Sequence, residues 1–166
     1  TLCALMGVAV HKKKDSEISG DSGSYFKLDN GTLCVILSDG MGTGRAAAAE
    51  SASAISMLER FLKTGIDPKT ALATIHSALV LKSEQTGSFA TLDLMCTNLF
   101  NGETSFYKFG GAPTYIKRGK QIRRITSSAL PAGISCGSAS NIDDTRLRLI
   151  ENDFIIMASD GIADSN

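Results

Sequence analysis

Between residues 88 and 125 the apolar residues follow a strand-like period, and short glycine turns interrupt them at Asn101-Gly102, Gly110-Gly111 and Arg118-Gly119. The segments between these turns, 91–100, 104–109, 114–117 and 121–125, are expected strands. Strands that follow one another through tight turns pair antiparallel, which excludes the alternating strand–helix order of a doubly wound sheet. Further strands are expected at 2–10, 33–37, 146–150 and 154–158. The run Leu33-Cys34-Val35-Ile36-Leu37 is continuously apolar, the pattern of a strand buried on both faces. Helical spacing is confined to 44–82. Ala48, Ala52, Ile55, Leu58 and Leu62 recur at three and four residues before a stop at Gly65. Asp67-Pro68 then starts a second helix with Leu72, Ile75 and Leu79 on its apolar face. A helix pair between runs of strands is an α+β layered fold.

The chain has 166 residues, enough for one domain and for burial of about 70% of the unfolded surface without staples. Apolar residues at 43% and charged residues at 20% exclude a disordered chain. Seventeen basic and seventeen acidic side chains cancel, so no surplus of cations exists for nonspecific nucleic-acid binding. No apolar run approaches the roughly 20 residues of a membrane span, and no signal peptide heads the chain. Cys3, Cys34, Cys96 and Cys136 form no C-x-x-C pair and are expected as buried thiols in a reducing compartment. His11 and His76 lack a second ligand at helical spacing, which argues against zinc.

The informative feature for function is a repeat. Val35-Ile36-Leu37-Ser38-Asp39-Gly40 and Ile155-Ile156-Met157-Ala158-Ser159-Asp160-Gly161 each deliver Ser-Asp-Gly at the end of an apolar strand. One Asp-Gly after a strand is an ordinary turn; two copies give equal weight to a pair of aimed carboxylates. Set side by side on neighbouring strands, Asp39 and Asp160 would repel by roughly 3 kcal/mol at ~5 Å and an effective dielectric of about 20. A hard divalent cation removes that cost, and oxygen donors suit Mg²⁺ or Mn²⁺ rather than zinc. Asp21, in the small-residue turn Ser19-Gly20-Asp21-Ser22, is a third candidate ligand.

Six motifs occur in order: Gly20-Asp21; S-D-G-M-G-x-G-x-x-A from Ser38 to Ala47; A-T-L-D-L at 90–94; G-G-A-P-T-Y-I-K-R-G at 110–119; L-P-A-G-I at 130–134; and M-A-S-D-G-I at 157–162. Over essentially its whole length the sequence closely resembles the metal-dependent protein phosphatases of the PPM, or protein phosphatase 2C, type. Met41 and the Lys117-Arg118-Gly119 segment resemble its sporulation branch, the phosphatase domain of stage II sporulation protein E. The resemblance implies a β-sandwich flanked by helices (α-β-β-α layers) with two Mn²⁺ or Mg²⁺ ions. It matches Asp39 to the aspartate bridging both ions, Gly40 to a backbone-carbonyl ligand, Asp21 to an acidic ligand of that same ion, and Asp160 to a ligand of the other. It implies hydrolysis of phosphoserine or phosphothreonine by a metal-activated water, on a partner that by the resemblance would be a phosphorylated anti-sigma factor antagonist. A homodimer, a cytoplasmic setting and a membrane-tethered parent protein are compatible with it.

Three departures accompany the resemblance. The chain ends at Asn166, before the family's C-terminal helix, last strands and final Asp, so a weak second metal site and poor turnover are expected. Met41 stands where many members have a proton-donating His. No Arg precedes Arg45, leaving Lys12, Lys13 and Lys14 as the nearest cations for a phosphate, against the alternative of a solvated basic loop. Arg45 opens the helix behind the metal turn, a place from which regulation could reach Asp39 and Gly40; a rigid helix hairpin is the competing reading. Asp93 and Asp164 are assigned to no metal, Asp93 being expected to cap or pair within the sheet. An active phosphatase and a pseudo-phosphatase that only binds the same partner both fit; a phospho-accepting receiver domain does not, because it needs alternating βα units.

Overall fold

The computed structural model describes residues 1–10, 19–41, 44–87, 89–134 and 142–160. Ten elements follow in chain order: β1 Asp21–Lys27, β2 Thr32–Asp39, α1 Arg45–Lys63, α2 Pro68–Thr86, β3 Leu92–Asn98, β4 Glu103–Phe109, β5 Thr114–Arg118, β6 Gln121–Ile125, β7 Asp143–Arg148 and β8 Phe154–Ile156. The strands form two antiparallel sheets, one in the order β1-β2-β3-β4-β7 and one in the order β6-β5-β8. The fold is an α+β two-sheet sandwich, with α1 packing on β1, β2 and α2.

Period-two alternation divides the apolar residues between two cores. Cys34 and Ile36 of β2, Leu92 and Leu94 of β3, and Tyr107 and Phe109 of β4 face the helices, meeting Ile55, Leu58, Leu72 and Ile75. Their alternates Val35, Met95 and Phe106 face the second sheet and meet Ile116, Ile125 and Ile155. Thus β2 is covered on both faces, by helices on one and by the second sheet on the other. Asp67 caps α2 as its sequence predicts, its side chain accepting from the Thr70 N–H at 3.1 Å. Gly65, with φ +86, follows the end of α1.

Several expectations need correction. Residues 2–10 form no strand: the Leu2 N–H reaches the Leu99 carbonyl at 2.6 Å, but Leu5, Val8 and Val10 stand exposed. Apolar content without a partner strand does not make a β-element. The strand beside β2 is instead Asp21–Lys27, whose Ser- and Gly-rich start reads as a turn. The buried face of α1 begins on Ala47, Ser51 and Ala54, with Ala52 exposed, because the helix start lies against glycine backbone rather than bulky side chains. β7 spans Asp143–Arg148, three residues earlier than expected at its start. Cys34 and Cys96 are cross-strand partners with sulfurs 3.7 Å apart and both free, whereas Cys3 is exposed. Cys136, His11 and Asp164 lie outside the described residues.

Candidate active site

Asp39 is the last residue of β2, and its register partner on β1 is Asp21. Like charges set directly opposite on neighbouring strands destabilise a sheet. Asp160 arrives from the other sheet, beyond the end of β8. The two Ser-Asp-Gly strands are therefore not neighbours in one sheet, as the repeat suggested; they meet across the end of the sandwich. Ser159 makes the junction, its Oγ donating to Asp21 Oδ2 at 2.8 Å.

The backbone around Asp39 is held by the residues just before β3. The Asp39 N–H donates to Thr91 Oγ1 at 3.0 Å, and the Thr91 N–H returns to the Asp39 carbonyl at 2.9 Å. Ser38, fully buried, donates its hydroxyl to the Thr91 carbonyl at 2.7 Å. Gly40 and Ala90 form a further bridge, and Ala90 bridges on to Ala132 of the 130–134 motif. On the helix side, Ser51 of α1 donates to the Gly20 carbonyl at 2.6 Å, and the Gly40 N–H donates to the same carbonyl at 3.3 Å. Gly40 is required by space: a Cβ there would lie 2.2 Å from the Ala47 carbonyl oxygen.

These contacts frame a cavity of about 320 Å³ lined by Asp39, Thr91, Asp93, Gly111, Ser159 and Asp160. Asp39 is pushed up to about 7, first by burial and then by Asp21 and Asp160 beside it. Burial pushes Asp93 up to about 6 against the opposing pull of Lys108. Asp93 does pair within the sheet, its carboxylate accepting from the Lys108 ammonium of β4.

Two observations bear on a divalent cation. Beyond burial, Asp39 is raised by Asp21 and Asp160 beside it, a repulsion that a cation relieves, and all the converging donors are oxygens. Gly20 also keeps a cradle open, since a Cβ there would stand 3.2 Å from the Gly40 carbonyl oxygen and 3.7 Å from Asp39 Oδ1. The donors fit Mg²⁺ or Mn²⁺ in kind. Yet among the described residues no three His, Cys, Asp or Glu side chains are already grouped as a metal site.

The structure thus brings Asp21, Asp39, Gly40 and Asp160 together. Arg45 stands exposed at the start of α1, and Met41 is exposed with its N–H on the Phe89 carbonyl. Lys12, Lys13 and Lys14 lie outside the described residues. Sequence reasoning missed Thr91, Ser159 and Ser51. Ser159 had a signal, because the serine is repeated along with Asp-Gly; it serves Asp21 in one copy, while Ser38 serves Thr91 in the other.

The sequence profile of Stage II sporulation protein E (SpoIIE) matches residues 29–166. The chain belongs to the SpoIIE family. It is 38% identical over 156 residues to stage II sporulation protein E of Bacillus subtilis, covering 94% of this chain and 18% of that protein. The Priestia megaterium protein of the same name is 36% identical over 156 residues, covering 94% of this chain and 26% of its own length. The chain therefore spans about a quarter or less of these SpoIIE relatives. A solved structure of the PP2C phosphatase domain and a fragment of the regulatory domain of Bacillus subtilis SpoIIE superposes with a TM-score of 0.78 at 39% identity. That match covers 87% of this chain and 42% of the solved one.

Proposed function

We propose that this chain is a PP2C-type module that grips a phosphorylated partner protein at the cavity of Asp39 and Asp160, beside Asp21, and turns it over slowly. The observation that carries this reading is a site assembled in kind but not ready in arrangement. Three carboxylates converge, while no three ligating side chains among the described residues are grouped for a metal. Burial and the neighbouring carboxylates hold Asp39 well above the usual carboxylate range, and a ligand must shed its proton before it coordinates.

Asp21, Asp39, the Gly40 carbonyl and Asp160 would hold two Mn²⁺ or Mg²⁺ ions. When bound, such ions supply an acidified water and neutralise charge on the phosphate. The chain's own residues do the rest. Thr91 fixes the Asp39 backbone, Ser159 orients Asp21, and Gly20 and Gly40 keep the approach open. No Lys or Arg is among the described residues lining the cavity, so divalent ions would supply positive charge for a phosphate dianion there. The partner class, by resemblance, is a phosphorylated anti-sigma factor antagonist. Arg45 is assigned a regulatory role at the head of α1, and Lys12, Lys13 and Lys14 a role in phosphate contact. A homodimer and a cytoplasmic site, with the longer protein tethered to the membrane, belong to the same proposal; among the described residues no helix is long and apolar enough to cross a membrane.

Efficient hydrolysis of phosphoserine is the second reading, favoured by the convergence on Asp39. One experiment separates the two: binding of a fluorescent phosphoserine peptide followed by anisotropy with and without Mn²⁺, with released phosphate assayed in the same samples. Mn²⁺-dependent binding with slow release is expected. Rapid release would establish the second reading, and binding indifferent to Mn²⁺ would sink both.

A further inference from the structure

A buried polar bridge ties the two sheets together beside the carboxylate cavity. Lys108 of β4 and Asp93 of β3 are cross-strand partners facing the space between the sheets, where they are 2% and 5% exposed. The Lys108 ammonium donates to both Asp93 oxygens and, at 3.2 Å, to the hydroxyl of Thr114. Thr114 is the first residue of β5, in the opposite sheet. Apolar residues of similar volume generally hold a core as well as a buried ion pair does, so stability alone does not account for this bridge.

Its place in the fold does. Asp93 is the register partner of Leu37, two residues before Asp39, and it lines the cavity with Asp39 and Asp160. On the other side, β5 is hydrogen-bonded to β8, the strand that leads to Asp160. The chain crosses between the sheets in residues 110–113. There Gly110 and Gly111 take φ +65 and +82, and a Cβ on Gly111 would lie 3.6 Å from Thr91 Cβ and 3.7 Å from Asp93 Oδ2. Asp39 thus belongs to one sheet and Asp160 follows the other, with the Asp93–Lys108–Thr114 bridge between them.

We infer that Asp93, Lys108 and Thr114 are positioning residues that fix the separation of Asp39 from Asp160, and with it the affinity of the cavity for a divalent cation. The inference rests on the reading of the cavity as a cation site. Ligand sets of this kind must be held within about 0.5 Å of the productive geometry, and loss of a supporting contact costs about 10–100-fold in metal affinity.

Thr114→Val is the sharpest probe, because it removes the hydroxyl, keeps the shape and leaves Asp93 paired with Lys108. Mn²⁺ titrations of the wild type, Thr114→Val, Thr114→Ser and Asp39→Asn, monitored by electron paramagnetic resonance of the free ion, are to be paired with metal-free melting curves. Thr114→Val should weaken Mn²⁺ binding about tenfold, and Thr114→Ser, which retains the hydroxyl, should recover it to within about twofold. Thr114→Val leaves one N–H of the buried Lys108 ammonium without a partner, so its metal-free melting should fall somewhat while the chain stays folded, and Thr114→Ser should melt like the wild type. If Thr114→Val binds Mn²⁺ like the wild type while Asp39→Asn loses it, the positioning role is wrong and the cation site stands. The role is equally wrong if Thr114→Ser fails along with Thr114→Val. Should Asp39→Asn bind like the wild type, the cation reading fails and this inference falls with it.

Discussion

At the scale of single residues, Asp39 concentrates the chemistry because burial, Asp21 and Asp160 all oppose its charge. The sign of the consequence follows from linkage. Its carboxyl is raised from 3.8 to about 7, so between those values the native state holds a proton that the unfolded state has released. Stability of the metal-free protein therefore falls as pH rises through this window, and the cost is fully present above about pH 7. Asp93, raised to about 6, acts in the same direction over a narrower range. Discounted for the partial exposure of Asp39, Asp39→Asn should stabilise the metal-free chain by about 1–2 kcal/mol at pH 8 and flatten its pH dependence. Urea denaturation at pH 5 and pH 8 checks this; a variant with the wild-type pH profile would show that the carboxylates do not crowd one another. The position of Asp39 was legible, because a strand-end Ser-Asp-Gly used twice fixes where a carboxylate points. Its partnership with Lys108's neighbour Asp93 along the cavity wall was not. That depends on a register between β2 and β3 which no local pattern specifies.

At the scale of elements, the start of α1 and the end of β2 are built as one unit. Gly40 and Gly20 let the backbones of β2 and of the chain before β1 approach Ala47, and Ser51 closes the contact on the Gly20 carbonyl. Gly40→Ala would place a Cβ 2.2 Å from the Ala47 carbonyl oxygen, a clash with backbone that no rotamer relieves. A loss of about 3 kcal/mol is expected by chemical denaturation, with α1 displaced from the turn after Asp39. Unchanged stability would mean that the helix start is free to move away. The helices were readable because capping and spacing are local: Asp67-Pro68 starts α2, and Leu72, Ile75 and Leu79 are buried on its face. β1 was not, since Asp21-Ser22-Gly23-Ser24 has turn composition and becomes a strand only by pairing with β2. The 2–10 segment failed for the opposite reason, having strand composition but no partner for most of its length.

At the scale of the whole molecule, the site exists because two sheets end at the same place. Membership of the SpoIIE family and the superposition on a PP2C phosphatase domain give the sandwich its family. The distribution of the carboxylates then explains why the sandwich matters. Asp21 comes from β1, Asp39 from β2, and Asp160 from the chain after β8 in the other sheet, so no single element can form the site. The repeat announced that two aimed aspartates would meet. It could not tell whether they would meet within one sheet or across two, because strand order is decided by long-range pairing rather than by local sequence.

The most direct test of this account is a Mn²⁺ titration of the wild-type chain beside Asp21→Asn, Asp39→Asn and Asp160→Asn, read by electron paramagnetic resonance. If three elements converge on one cation site, each substitution weakens binding at least about tenfold, Asp39→Asn the most, as expected for loss of a ligand. Mn²⁺ binding that survives Asp39→Asn, or that ignores Asp160→Asn altogether, would contradict a site shared between the two sheets.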